Sequence, residues 1–175
     1  MFPLGGTGRR PQGAPVSIGA RVLAGGAVAS VAAVGAALVS QHVFGMQPCP
    51  WCVLQRVIFL AVAAACVIGL VWRSALGRLI GGGLALLLAL CGIAAALWQH
   101  FQAAASASCN LTLADRIVSG WLGLDSLWPD VFSARASCAD AAVNLLGVPY
   151  DFWSLALFVA LAFALLQALF RAPRR

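Results

Sequence analysis

Four long stretches of this chain carry almost no charge, and the polar residues gather between and around them. The first runs from Val22 to about Phe44, the second from about Val53 to Trp72, the third from Leu79 to about Trp98 and the fourth from Phe152 to Phe170. As helices rising about 1.5 Å per residue, all four match a hydrocarbon layer of roughly 30 Å. Arg73 and Arg78 bracket a short turn between the second and third, whereas residues 99–151 form one long polar interval. The pattern predicts an all-α membrane protein, a four-transmembrane-helix bundle. Gly25, Ala29, Ala33 and Ala37 recur every four residues in the first stretch, a small-residue stripe that would let a neighbouring helix approach closely. A cleaved signal peptide would also be apolar here, but this run is longer than the usual signal core.

A second periodicity lies inside the long interval. Leu111, Leu113, Ala114, Ile117, Val118, Trp121 and Leu124 fall on one broad helical face, with Thr112, Asp115, Arg116 and Ser119 opposite. Thr112 and Asp115 have the spacing of a capping box. A short amphipathic helix is expected in this loop, lying on the outer leaflet or packed on the bundle. Gly120, Gly123 and Pro129 limit its length.

Composition agrees with the pattern: 62% hydrophobic, 9% charged and a mean hydropathy of +0.95 leave too little polar surface for a soluble globule. All eleven basic residues are Arg and all five acidic ones are Asp, for a formal net charge of +6. The two signs are segregated along the chain, so the basic excess reads as topology and not as nucleic-acid binding. Arg9, Arg10 and Arg21 precede the first stretch, Arg73 and Arg78 stand in the second-to-third turn, and Arg171, Arg174 and Arg175 end the chain. By the positive-inside rule these segments are cytoplasmic. Residues 1–21 are then a cytoplasmic segment whose Gly, Pro and Arg content predicts irregular chain, 22–170 a single membrane domain and 171–175 a cytoplasmic tail. The loops at about 45–52 and 99–151 face outward, into a periplasm.

Topology places four of the six cysteines on the oxidising side: Cys49, Cys52, Cys109 and Cys138. Cys66 and Cys91 lie within the second and third spans and read as small apolar fillers. Cys49-Pro50-Trp51-Cys52 opens the second span, where a helix N-terminus favours a thiolate. The four cysteines would equally serve as two structural staples. A ring closed by C-x-x-C constrains little chain entropy, however, so it is better suited to opening and closing. A lone C-x-x-C is also a poor structural zinc site. Cys109 and Cys138 lie 29 positions apart, slack enough for one to reach the first pair and make a relay of two disulfides.

Disulfide exchange moves oxidising equivalents without creating them, so a net oxidant needs a terminal acceptor. The sequence has no flavin, nucleotide or iron–sulfur fingerprint, and in a membrane the mobile two-electron carrier is a quinone. Arg56, one turn below Cys52, is placed to donate hydrogen bonds to a quinone carbonyl, the alternative being an Arg that snorkels to the headgroups. His100, at the outer end of the third span, is a second candidate for a quinone oxygen or for proton relay, against an ordinary solvated His.

These residues resemble the DsbB family of bacterial inner-membrane disulfide-forming proteins. The likeness is carried by Gln41-His42-Val43, Pro48-Cys49-Pro50-Trp51-Cys52, Arg56 and Trp98-Gln99-His100. It continues through Cys109, Trp121-Leu122-Gly123-Leu124-Asp125, Trp128, Val131, Phe132, Cys138 and Pro149. It implies a protein dithiol:quinone oxidoreductase in the inner membrane. A reduced DsbA-like thioredoxin-fold partner would attack Cys109, Cys138 would then attack Cys49, and Cys52 would face a ubiquinone or menaquinone bound by Arg56 and His100. The chain departs from the family in three ways: a shorter interval between His100 and Cys109, the stiff Pro50-Trp51 pair, and Gln55 where a Glu is common. A vitamin K epoxide reductase relative also pairs a C-x-x-C with a quinone, but there the loop cysteines precede that motif and here they follow it.

Overall fold

Four long helices form the frame: α1 (Ile18–Val43), α2 (Pro50–Val71), α3 (Ala75–Trp98) and a last helix, α7 (Tyr150–Phe170). Between α3 and α7 lie α4 (Leu113–Asp115), α5 (Leu124–Leu127), α6 (Pro129–Phe132) and a hairpin of β1 (Asn144–Leu145) and β2 (Val148–Pro149). The computed structural model describes residues 18–72, 74–103, 112–141 and 143–170. Cys109, Leu111, most of the N-terminal segment, Arg73 and the C-terminal tail therefore lie outside the described residues.

α2 and α3 begin ahead of their apolar stretches, each at a residue whose side chain caps the first turn. Cys49 is the N-cap of α2, with Pro50 in the first turn, where its missing N–H costs nothing. Ser74 caps α3, its Oγ accepting from the Gly77 amide at 2.9 Å. All four helices are long and apolar enough to cross a membrane, so the chain is an all-α, multi-pass bundle.

The helices pack in a ring, α1 on α2, α2 on α3, α3 on α7 and α7 back on α1. Two close approaches fix its tightness. Gly81 of α3 lies against the backbone of Gly69 in α2, where a β-carbon would collide. Gly92 of α3 accepts the ring of Phe158 from α7 in the same way, and Phe158 stacks on Phe59 of α2 with centroids 3.9 Å apart. The core at this level comprises Leu23, Val34, Phe59, Val62, Cys66, Phe158 and Leu165. Cys66 is fully buried there as a packing group, and Cys91 is exposed on the bundle's outer surface.

The small-residue stripe of α1 realises the close approach it allows only in part. The buried face of α1 is Leu23, Gly26, Ser30, Val34 and Gln41. Gly25 and Ala29 border a shallow groove with α7, and Ala33 and Ala37 wall a large cavity. Ala29 and Ala33 also pack against the bundle core, so the stripe meets its neighbours in part and leaves space in part.

The capping box of the loop helix is present, with Thr112 Oγ1 accepting from the Asp115 amide and Asp115 accepting from the Thr112 amide at 2.9 Å. From Arg116 to Trp121 the helix widens into a π turn, and it stops at Gly123 with φ of 58°. Ala114 and Val118 are buried against the N-terminal end of α2 beside Trp51, Val53 and Leu54, so the helix packs on the bundle. Its buried stripe is narrower than the sequence pattern, because the π turn carries Trp121 out of line. Leu113, Trp121, Leu122, Leu127 and Trp128 remain exposed, Trp121 at 82%.

Candidate functional site

The first turn of α2 ends its free backbone donors on sulfur. The Cys52 amide donates to Cys49 Sγ at 3.3 Å, and the Trp51 amide donates to Cys138 Sγ. Cys49, fully buried, stands between the other two sulfurs: its Sγ is 2.7 Å from Cys52 Sγ and within hydrogen-bond reach of Cys138 Sγ. All five described cysteines are free thiols. Cys138 is held in place by backbone, since Pro48 O accepts from the amides of Arg135 at 2.9 Å and Ala136 at 3.3 Å. Residues nearly ninety positions apart thus form a row, Cys138, Cys49, Cys52.

The row is electrostatically uneven. The Cys49 thiol is pushed well above the ordinary cysteine range, chiefly by hydrogen bonding to the Cys138 sulfur and next to that of Cys52, which share its one proton between them, with burial adding to the effect. Cys138 is shifted the other way, below the ordinary value, because its sulfur accepts from Cys49, with the Trp51 amide helping. The central sulfur keeps its proton and the loop sulfur is the readier thiolate.

Below the row, Arg56 is buried, at 5% exposure, and so does not snorkel to the membrane surface. Its Nη1 donates to Gln41 Oε1 and to the Val131 carbonyl, both at 2.8 Å, and its Nη2 reaches Ala37 O at 3.5 Å. These acceptors are all uncharged, and among the described residues no carboxylate lies within ion-pair distance of Arg56. A buried cation held only by dipoles favours an anion, or an oxygen gaining negative charge, beside it.

Arg56 and Cys52 both line a cavity of about 1090 Å³ between α1, α2 and α7. Its walls are apolar, with Ala33, Val34, Phe59, Leu157 and Ala160, while its outer end is polar, with Cys52, Gln55, Arg56, Gln99 and Ser154. An apolar pocket with a few convergent polar groups suits a ligand with a polar head and a hydrocarbon tail.

His100 does not line this cavity; Gln99 does. The helix opens into a π turn at Gln99–Ala103, and Gln99 continues the buried stripe of Ala85, Ala89, Gly92 and Ala96, so His100 is turned aside. Its Nδ1 lies 2.7 Å from Asp151 Oδ2, and its ring meets Phe152 edge-on at a centroid distance of 4.6 Å. Asp151 is on the cavity wall, so His100 touches the site through it.

The structure therefore brings Cys49, Cys52, Cys138 and Arg56 together, leaves His100 one residue removed, and does not describe Cys109. Gln41, Gln55, Gln99 and Ser154 also meet at this site, though their spacing in the sequence marks no role for them. A signal existed, since Gln41 and Gln99 each extend the buried stripe of an otherwise apolar helix, where an unpaired amide is not tolerated.

The family model for the disulfide bond formation protein DsbB matches residues 20–168. The chain belongs to the DsbB family. Its relatives include disulfide bond formation protein B of Ralstonia nicotianae, 35% identical over 150 residues that cover 85% of this chain and 92% of that one. The namesake from Herminiimonas arsenicoxydans is 32% identical, covering 83% of this chain and 91% of its own length. That of Pseudomonas syringae pv. tomato is 35% identical, with 81% and 84% covered. DsbB membership makes this a membrane-embedded oxidoreductase of disulfide-bond formation, within a bacterial family.

Proposed function

We propose that the protein is a dithiol:quinone oxidoreductase that reoxidises a DsbA-like periplasmic thioredoxin-fold protein and passes two electrons to ubiquinone or menaquinone. The observation that carries the reading is that Cys52 ends the sulfur row and, with Arg56, walls the large cavity. One end of the row belongs to a loop and the other to a lipid-level pocket.

The order of the Cys138, Cys49 and Cys52 sulfurs supports the following thiol steps. A reduced partner attacks the Cys109–Cys138 disulfide at Cys109, and the partner's second thiol resolves the mixed disulfide, leaving oxidised partner and two thiols. The Cys138 thiolate then attacks Cys49 of a Cys49–Cys52 disulfide and expels Cys52 as thiolate. Cys109 resolves the Cys138–Cys49 bond, which restores the loop disulfide and leaves Cys49 and Cys52 reduced. A bound quinone supplies a two-electron, two-proton acceptor, and Cys49 and Cys52 close again as a disulfide as those electrons leave. Arg56 would hold a quinone oxygen and the negative charge that develops on it. His100 acts on the same pocket through Asp151. Residues 1–21 and 171–175 are assigned to the cytoplasm and both sets of active cysteines to the periplasm, on the strength of the Arg distribution.

The test is direct. Full-length protein in detergent or vesicles is given a reduced DsbA-like protein and a ubiquinone analogue, and quinone absorbance is followed in time. Reduction well above that of Cys52→Ser is expected, and equal rates for the two proteins would overturn the assignment.

A further inference from the structure

Cys52 has one hydrogen-bond partner that the sulfur row does not explain. Gln99, on α3, points its amide nitrogen at Cys52 Sγ across 3.3 Å. Gln99 is 6% exposed and its neighbour Gln55 is 4% exposed, so neither amide has bulk water to satisfy it. Gln55 Nε2 donates to Gln99 Oε1 at 2.7 Å, and the single hydroxyl hydrogen of Ser154, within reach of both Gln55 Oε1 at 2.5 Å and the Asp151 carbonyl at 2.9 Å, takes the shorter bond to Gln55. The chain Ser154, Gln55, Gln99, Cys52 spans three helices and has one polarity throughout.

That polarity has a chemical consequence. An amide that accepts at oxygen must present its N–H₂ at the other end, so Gln55 decides which atom of Gln99 faces the sulfur. The atom is a donor. A thiolate, which only accepts, gains from it, whereas a thiol brings a hydrogen of its own that finds no acceptor there. Neither glutamine exchanges protons at neutral pH, so the two amides supply dipoles without competing for the Cys52 proton.

We propose that Gln99 is a catalytic residue that stabilises the Cys52 sulfur as an anion facing the cavity, with Gln55 and Ser154 as the positioning residues that aim it. The proposal rests on the reading of Cys52 as the sulfur that meets the electron acceptor. Gln99 does for Cys52 what the Trp51 amide does for Cys138: it places an N–H on the sulfur that must carry charge.

The test needs neither quinone nor partner. Fully reduced, full-length protein is alkylated with iodoacetamide at pH 7, and the rate at each cysteine is read by mass spectrometry. Gln99→Leu should slow Cys52 by about tenfold, the usual weight of one charge-assisted hydrogen bond, while Cys138 stays within about twofold of its own rate. Gln55→Leu touches no sulfur and should slow Cys52 in the same sense by a smaller factor, because Gln99 is then free to turn. An unchanged Cys52 rate in Gln99→Leu, or an equal fall at Cys52 and Cys138 in both variants, would overturn the proposal. The quinone-reduction assay above is independent of this readout, so the two assignments fail separately.

Discussion

Arg56 donates to Gln41 Oε1 over 2.8 Å, and the amide nitrogen of the same Gln41 donates to the Asp130 carbonyl at 3.0 Å. With the bond from Arg56 to Val131 O, this ties α1, α2 and the α6 turn at one buried point. The cation of the cavity and the peptide that leads to Cys138 are thereby held by the same group. Arg56→Ala should raise the apparent KM for quinone by about tenfold, since a charged hydrogen bond contributes roughly 1.5–3 kcal/mol. Gln41→Leu keeps the cation but removes both its bond from Arg56 and its neutral bond to the Asp130 carbonyl; loss of the neutral bond, near 1 kcal/mol, should slow single-turnover transfer from Cys138 to the Cys49–Cys52 disulfide by about fivefold. Stopped-flow measurement of both steps in both variants checks the division.

The uneven sulfur row predicts a pH signature. Only the thiolate is alkylated, so a thiol shifted downward reacts at lower pH and one shifted upward waits for higher pH. In reduced protein, Cys138 should reach half its plateau rate below the ordinary cysteine range, and Cys49 should stay unreactive well above it. Cys49→Ala removes the donor to Cys138 and should move the Cys138 profile back up. A profile unaffected by Cys49→Ala would mean that the Trp51 amide alone sets it.

His100 and Asp151 form a partly buried pair at the edge of the cavity, with the imidazole 33% and the carboxylate 11% exposed. Because the pair is partly open to solvent, its direct energetic weight is about 1 kcal/mol or less. His100→Ala should therefore change the quinone KM by less than about fivefold, the equivalent of ~1 kcal/mol, and by clearly less than Arg56→Ala does. Steady-state kinetics across a range of quinone concentrations distinguishes the two.

Packing at Gly92 predicts a stability effect with no chemical component. A β-carbon there overlaps the Phe158 ring, which is already clamped against Phe59. Gly92→Ala should destabilise the bundle by about 1–3 kcal/mol, the common range for overpacking. Thermal melting in detergent would register it.

The hairpin before α7 predicts the opposite sign. Leu146 has φ of 54° and is 87% exposed, so it bears a left-handed backbone and gains nothing from burial. Leu146→Asn, which gives the Asn-Gly pair favoured in two-residue hairpin turns, should stabilise by about 1 kcal/mol. The same melting experiment reads it.

The number of long helices, the position of the C-x-x-C at the head of the second and the capping box of the loop helix are all legible in the sequence. Each depends on residues near one another in the chain: apolar run length against membrane thickness, a cap beside its first turn, Thr112 three residues before Asp115. Family resemblance was legible too, because it rests on ordered residue types and needs no coordinates.

What only the tertiary structure decided depends on which helix faces meet. The stripe from Gly25 to Ala37 permits contact by spacing, yet whether small side chains admit a neighbour or leave a void is settled by where α7 runs. His100 and Gln99 are adjacent in sequence, and a local widening of the helix decides which one enters the cavity wall. Arg56 as a buried, neutrally partnered cation required Gln41 and Val131 to arrive from other elements. The row of sulfurs required the chain to fold residues 135–138 back onto Pro48. Linear spacing carries the period of a helix but not its azimuth in the bundle, and the chemistry of this site is set by azimuth.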